Sequence, residues 1–144
     1  MNDFWPDEFP EDSQASPKQV FEQLCSPLDM KTKGAVYGEI VKLEPIDALS
    51  ERVSGEFPYR FDLVGRYLNG YRFRVLSFVH DITLYPVKFM LDEYLWKEMF
   101  PGTPIANAPQ FVVKDENELK NFLGIVFRSK RVTSVVASII KLSR

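Results

Sequence analysis

Asn69-Gly70 stands between two strand-like runs, YRFDLVGRYL before it and YRFRVLSFV after it. A two-residue turn that matches the twist of its flanking strands needs positive φ at both central residues, which asparagine and glycine tolerate best. The dipeptide therefore predicts an antiparallel hairpin. With a two-residue loop, Leu68 faces Tyr71 and the pairing runs outward from there. One face of the hairpin then carries Phe61, Leu63, Leu76 and Phe78, with Tyr59 and His80 at the far end and Arg72 and Arg74 near the turn. The other face carries Val64, Phe73, Val75 and Val79 among Arg60, Asp62 and Arg66. Apolar groups on both faces predict cover on both sides, with the tip protruding.

The flanking sequence supplies more strands. AVYGEIVKL, from Ala35, is short and β-branched, and Glu44-Pro45 ends it. A loop with Gly55 and Pro58 follows. After a turn at His80-Asp81, ITLYPVKFML reads as a third meander strand. Pro86 cannot donate to a ladder, so that strand is expected at an edge or with a bulge at the proline. FVV near residue 112 reads as a small further strand.

Helices are marked by their caps. Ser16, Pro17 and Gln19 form a capping-box start, followed by Val20, Phe21, Leu24 and Leu28 at helical spacing. Pro27 interrupts this pattern, and Ser26-Pro27-Leu28-Asp29 reads equally as the cap of a second short helix. Gly34 is the expected stop. Asp92 caps a short DEYLWKEMF helix that Pro101-Gly102 ends, and PGTPIANAP is a loop. Asp115 and Glu118 open a helix with Leu119, Phe122, Leu123, Val126 and Phe127 on one stripe. A last helix after Ser129 carries Val132, Val135, Val136, Ile139 and Ile140.

The resulting expectation is an α+β protein: an N-terminal helix, a mostly antiparallel sheet with a hairpin and meander, and C-terminal helices on one face. Residues 1–15 are expected to form a flexible acidic-aromatic arm, and residues 16–144 a single domain. At 144 residues with twelve phenylalanines, such a domain buries enough surface to need no disulfide or metal staple. Cys25 is the only cysteine, which rules out an internal disulfide and favours a reducing compartment. The acidic, proline-broken opening MNDFWPDEFPED differs from a secretory leader, and no apolar run is long enough for a membrane span. The location expected is cytoplasmic.

Charge is unevenly distributed. Residues 1–15 carry five acidic and no basic residues, whereas residues 119–144 carry six basic and no acidic ones. Such asymmetry marks either two solvated segments of opposite sign or an interaction tail and a basic partner surface.

Catalytic motifs are sparse. The seven glycines are scattered, without GxGxxG, GxxxxGK[ST] or GxSxG, so no motif-borne nucleotide site or nucleophile elbow is present. One histidine and one cysteine make no typical zinc site, and no metal or cofactor is expected. Cys25 lies on the apolar side of its helix, where a thiol acts as a small hydrophobe unless a base such as His80 activates it. His80, opposite Tyr59 and followed by Asp81, is the best acid–base candidate, although a hydrogen-bonded structural pair at a turn is the commoner outcome.

Two constellations remain. Phe4, Trp5 and Phe9 in the acidic arm either fold back over the domain or dock into a partner. Arg66, Tyr67, Tyr71, Arg72 and Arg74 at the hairpin combine fixed positive charge with stacking rings. That set fits cross-strand packing, a protein hot spot, or single-stranded nucleic acid with Lys130 and Arg131 extending the surface. A pI near 5.5 is low for a dedicated nucleic-acid binder. The leading expectation is thus a small non-enzymatic protein that acts by binding another protein, as an inhibitor, immunity-like or accessory factor. Nucleic-acid binding through Arg66, Arg72, Arg74, Lys130 and Arg131 is the alternative, and no membrane partner is expected.

Overall fold

The structure, a computed structural model, describes residues 4–11, 13–103 and 110–144. The elements run α1 (Pro17–Lys31), β1 (Val36–Lys42), α2 (Pro45–Ser50), β2 (Phe57–Gly65), β3 (Tyr71–His80), β4 (Val87–Leu91), α3 (Glu93–Met99), β5 (Gln110–Val113), α4 (Glu116–Phe127) and α5 (Lys130–Leu142). The strands form one antiparallel meander in the order β1-β2-β3-β4-β5. The protein is α+β, with its C-terminal helices against one face of the sheet. Among the described residues no helix is long and apolar enough to cross a membrane.

The helix starts follow their caps. Ser16 Oγ accepts from Gln19 N–H at 3.2 Å while Gln19 Oε1 accepts from Ser16 N–H at 2.8 Å, satisfying two donors that a helix start leaves open. Asp92, Asp115 and Ser129 cap α3, α4 and α5 with their side-chain oxygens. Pro27 does not split α1, which continues as one helix to Lys31. The proline removes the N–H that Gln23 carbonyl would have accepted, and Ser26 Oγ donates to that carbonyl instead, at 3.1 Å.

The Asn-Gly turn forms, but not as a two-residue loop. Tyr71 N–H donates to Leu68 O at 3.0 Å, with Asn69 at φ 53° and Gly70 at φ 70°. A second turn precedes it, with Leu68 N–H on Gly65 O, and the strands pair only from Gly65 opposite Tyr71. Tertiary contacts hold residues 66–68 out of the ladder. Arg66 N–H donates to Ala35 O at 3.0 Å, and Leu68 packs on the core.

A β-bulge corrects the faces further. Phe61 pairs with Leu76 but Asp62 with Arg74, leaving Val75 as the extra residue. One extra residue reverses the alternation beyond it. Phe73 therefore sits opposite Leu63 on the apolar face, while Arg72 and Arg74 lie with Asp62 and Val64 on the other. The expectation that both arginines share a face with Phe61 and Leu63 is overturned by this bulge.

The helix-covered face holds the core. Phe21 stacks on Phe78 at 4.8 Å between ring centroids, and Phe89 meets Phe122 at 4.6 Å. Phe61, Leu63, Leu76, Leu119, Leu123 and Val126 complete its centre. The opposite face carries a smaller cluster of Leu43, Ala48, Val53 and Val79 under α2. Sequence reading missed α2, whose start is Glu44 as N-cap and Pro45 at the first helical position. It also placed Pro86 inside a strand. β4 begins after the proline and lies inside the sheet between β3 and β5. The expected loop at PGTPIANAP falls largely outside the described residues.

Candidate functional site

On the open face of the hairpin, Asp62 is 1% exposed and accepts from Arg60 Nε at 2.9 and 3.0 Å and from Arg72 Nη1 at 3.2 Å. Arg72 Nη2 also donates to Glu39 at 3.1 Å. Arg74 pairs with Glu51. Arg66, in the loop, grips Asp29 of α1 with two hydrogen bonds of 2.9 Å and lies over the Tyr37 ring at 4.9 Å. That hydrogen-bonded pairing holds the Asp29 carboxyl below its ordinary range and raises the Arg66 guanidinium. Each arginine that sequence reading nominated at the hairpin thus meets a carboxylate of the same chain, while Tyr67 and Tyr71 stay exposed.

Lys130 and Arg131 open α5. Glu98 accepts from both of their backbone N–H groups, at 2.6 and 3.0 Å. The Arg131 guanidinium lies 4.6 Å from the Tyr94 ring centroid and 5.1 Å from that of Phe73, with Asp92 at 3.4 Å. Tyr71, Phe73, Tyr94, Lys130 and Arg131 line one groove of about 670 Å³. Arg72, Arg74 and Arg131 share a neighbouring one of about 600 Å³, together with Asp62, Asp92 and Glu93. The fold therefore brings Lys130 and Arg131 to Tyr71, but it turns Arg66 towards α1 and interleaves the remaining arginines with acids.

In the arm, Phe4, Trp5 and Phe9 are 93%, 73% and 64% exposed, with the Trp5 and Phe9 rings 6.2 Å apart. The arm joins the domain at its last residues. Tyr85 Oη donates to Ala15 O at 2.8 Å, Glu116 accepts from Ala15 N–H, and Glu116 N–H donates to Gln14 Oε1 at 3.0 Å. The Ala15 N–H, followed by Lys120, lowers the Glu116 carboxyl below its ordinary range.

His80 is buried between two rings, 5.5 Å from Phe57 and 5.8 Å from Tyr59 between centroids. Its register partner is Phe57, with Tyr59 one pair further along the face. Nδ1 lies 2.8 Å from Asp81 O. A carbonyl only accepts, so Nδ1 carries a proton and donates. Cys25 sits beside Gly38, at the opposite end of the sheet face from His80. Burial pushes its thiol up to about 12, and a nucleophile needs the thiolate.

Sequence reading missed one feature. Between α1, α4 and α5 lies an apolar groove of about 970 Å³ with Phe61 and Leu63 at its floor and Lys31 and Arg128 at its rim. The sole sequence signal is Gly124, a glycine inside an otherwise strong helix pattern. Compared with models of protein families, with curated proteins and with solved structures, the chain matches none of them.

Proposed function

We propose that this chain is a small cytosolic, non-enzymatic protein that acts by binding another protein. The observation that carries the reading is the arm: three large rings on an acidic segment, each more exposed than folded. Exposed apolar rings gain roughly 25 cal/mol per Å² on leaving water, and aromatic anchors dominate protein interfaces. Tyr67 and Tyr71 offer a second contact at the hairpin tip. Arg66, Arg72 and Arg74 support that tip, since truncating any one would remove the ion-pair partner of Asp29, Glu39 or Glu51 respectively.

The test is capture of binding partners by the full chain from native cytosol, with and without nuclease, beside a variant carrying Phe4→Ala, Trp5→Ala and Phe9→Ala. A stoichiometric protein that survives nuclease and is lost in the variant supports the reading. Retention unaffected by the substitutions removes the arm from it.

Nucleic-acid binding is the second reading, favoured by the groove that joins Tyr71 with Lys130 and Arg131. It predicts affinity that falls steeply with salt, because neutralised phosphates release counterions. Titration of a labelled single-stranded oligonucleotide at two salt concentrations decides it: no salt-dependent binding ends this alternative.

A further inference from the structure

Gly124 lines the groove between α1, α4 and α5, on its α4 wall. A Cβ placed there meets nothing within 4 Å among the described residues. Gly38 is the contrasting case, because a Cβ there would come within 2.8 Å of Phe61 and 3.1 Å of Cys25 Sγ. The fold thus requires glycine at 38 and gains no packing from it at 124. Glycine inside a helix is disfavoured relative to alanine through backbone entropy. What glycine at 124 does provide is room for an outside group to approach the helix backbone. Close by, Ile125 is 58% exposed, and the walls include Leu24, Leu28 and Val136.

Charge indicates the occupant. Lys31 and Arg128 at the rim have no carboxylate within ion-pair distance among the described residues, in contrast to Lys120, which pairs with Glu116 at 3.0 Å. Glu98 also lines the groove, but its carboxylate is held by the Lys130 and Arg131 backbone N–H groups. A mostly apolar groove with Lys31, Lys120 and Arg128 along it fits a segment of large rings interspersed with acids. Residues 4–11 of this chain are such a segment: Phe4, Trp5 and Phe9 with Asp7, Glu8 and Glu11, all exposed.

We infer that the groove between α1, α4 and α5 receives the acidic aromatic arm, residues 4–11, of a second copy of this chain. The inference rests on the reading of the arm as a protein-docking segment and names its receptor. The arm's rings are solvent-exposed in the conformation in which the groove is open, which is the state that reciprocal exchange between two copies needs. Two arms in two grooves close a twofold dimer with no unpaired site left over. Extended, the stretch from Ala15 back to Phe4 spans up to about 35 Å at ~3.3 Å per residue, so docking into the chain's own groove is the competing outcome.

Sedimentation velocity of the full chain across a concentration series tests this, with two variants. Gly124→Leu fills the groove with a strong helix former and leaves the arm intact. The pair Trp5→Ala and Phe9→Ala removes the anchors and leaves the groove intact. The expected result is a concentration-dependent dimer whose dissociation constant rises at least about tenfold in each variant alone. Mixing the two variants then restores a heterodimer, since one supplies an arm and the other a groove. Gly124→Leu also melts no lower than the parent, which separates a blocked groove from a damaged fold.

A parent chain that stays monomeric throughout overturns the inference, as does a dimer that neither variant weakens. A monomer whose tryptophan emission shifts on Gly124→Leu assigns the arm to its own groove and likewise overturns exchange. If such a monomer still captures a different protein through Trp5 and Phe9, the binding-protein reading stands without this inference.

Discussion

At the hairpin, Arg66, Arg72 and Arg74 each end on a carboxylate of their own chain, whereas Lys31 and Arg128 at the helical groove meet none among the described residues. Both regions set basic side chains beside apolar ones. They differ in what surrounds the charge. Hairpin residues lie on a sheet face where register sets Asp62 opposite Arg74 and beside Arg72, so the charges neutralise one another. The groove lies between helices with largely apolar walls, and Lys31 and Arg128 stand at its edge outside ion-pair distance of any carboxylate among the described residues, whereas Lys120 there is paired with Glu116. A basic patch points to a partner when its charge is left over, not when it is merely present.

Asp62→Ala removes a buried carboxylate and leaves Arg60 and Arg72 without their shared partner. Because both guanidinium groups reach solvent, the expected loss is about 2–3 kcal/mol, below the usual cost of breaking a fully buried pair. Denaturant unfolding measures it, and a loss under about 0.5 kcal/mol would deny the hairpin charges their structural role.

Gly124→Ala goes the other way. It should stabilise by about 0.5–1 kcal/mol, a rise of roughly 2–4 °C in melting temperature for a chain this size. A destabilised variant would mean that the glycine serves the fold. Smaller still is the pair Lys31→Glu and Arg128→Glu. Its effect on unfolding should stay within about 0.5 kcal/mol, while self-association weakens and loses its salt dependence.

Cys25 at the groove wall gives a chemical readout. Its pKa is raised by burial from 9.0 to about 12, so at pH 8 its reaction with a disulfide reagent should run on the order of 10³ slower than a free thiol through loss of thiolate. The sign of the linkage follows. The folded chain holds this proton more tightly than the unfolded chain, so the stability it confers is intact below about pH 9 and is lost as pH rises towards about 12. Fast labelling at pH 8 would show that the thiol is not desolvated by its surroundings. Asp29 behaves oppositely: its pKa is lowered by Arg66, so its contribution is present above the ordinary carboxylate range and disappears on acidification. Because this pair lies at the surface, salt should weaken it, which acid titrations at low and high ionic strength would register.

Much of the architecture was legible because it depends on local chemistry. Ser16 with Gln19, Asp92, Asp115 and Ser129 each mark a helix start with a side chain that reaches its own backbone, and Asn69-Gly70 adopts the positive φ values its turn needs. What was illegible depends on distant partners. The hairpin register is decided by Arg66 reaching Asp29 and by Leu68 packing on the core. The bulge at Val75 then moves Phe73 and both arginines to the faces opposite those expected. β4 lies inside the sheet because β5, beyond an intervening helix, supplies its second neighbour. At the site, Phe4, Trp5 and Phe9 were readable as large rings on an acidic segment. The groove was not, since its walls come from three helices and Gly124 alone reads as a weak helix position.

The most direct test joins carboxylates to amines with a zero-length carbodiimide in an equal mixture of ¹⁴N- and ¹⁵N-labelled full chain. The account predicts mixed-isotope cross-links from Asp7, Glu8 or Glu11 to Lys31 or Lys120, suppressed by Gly124→Leu. Cross-links from the arm only within one isotope, or only to lysines away from the groove, would contradict it.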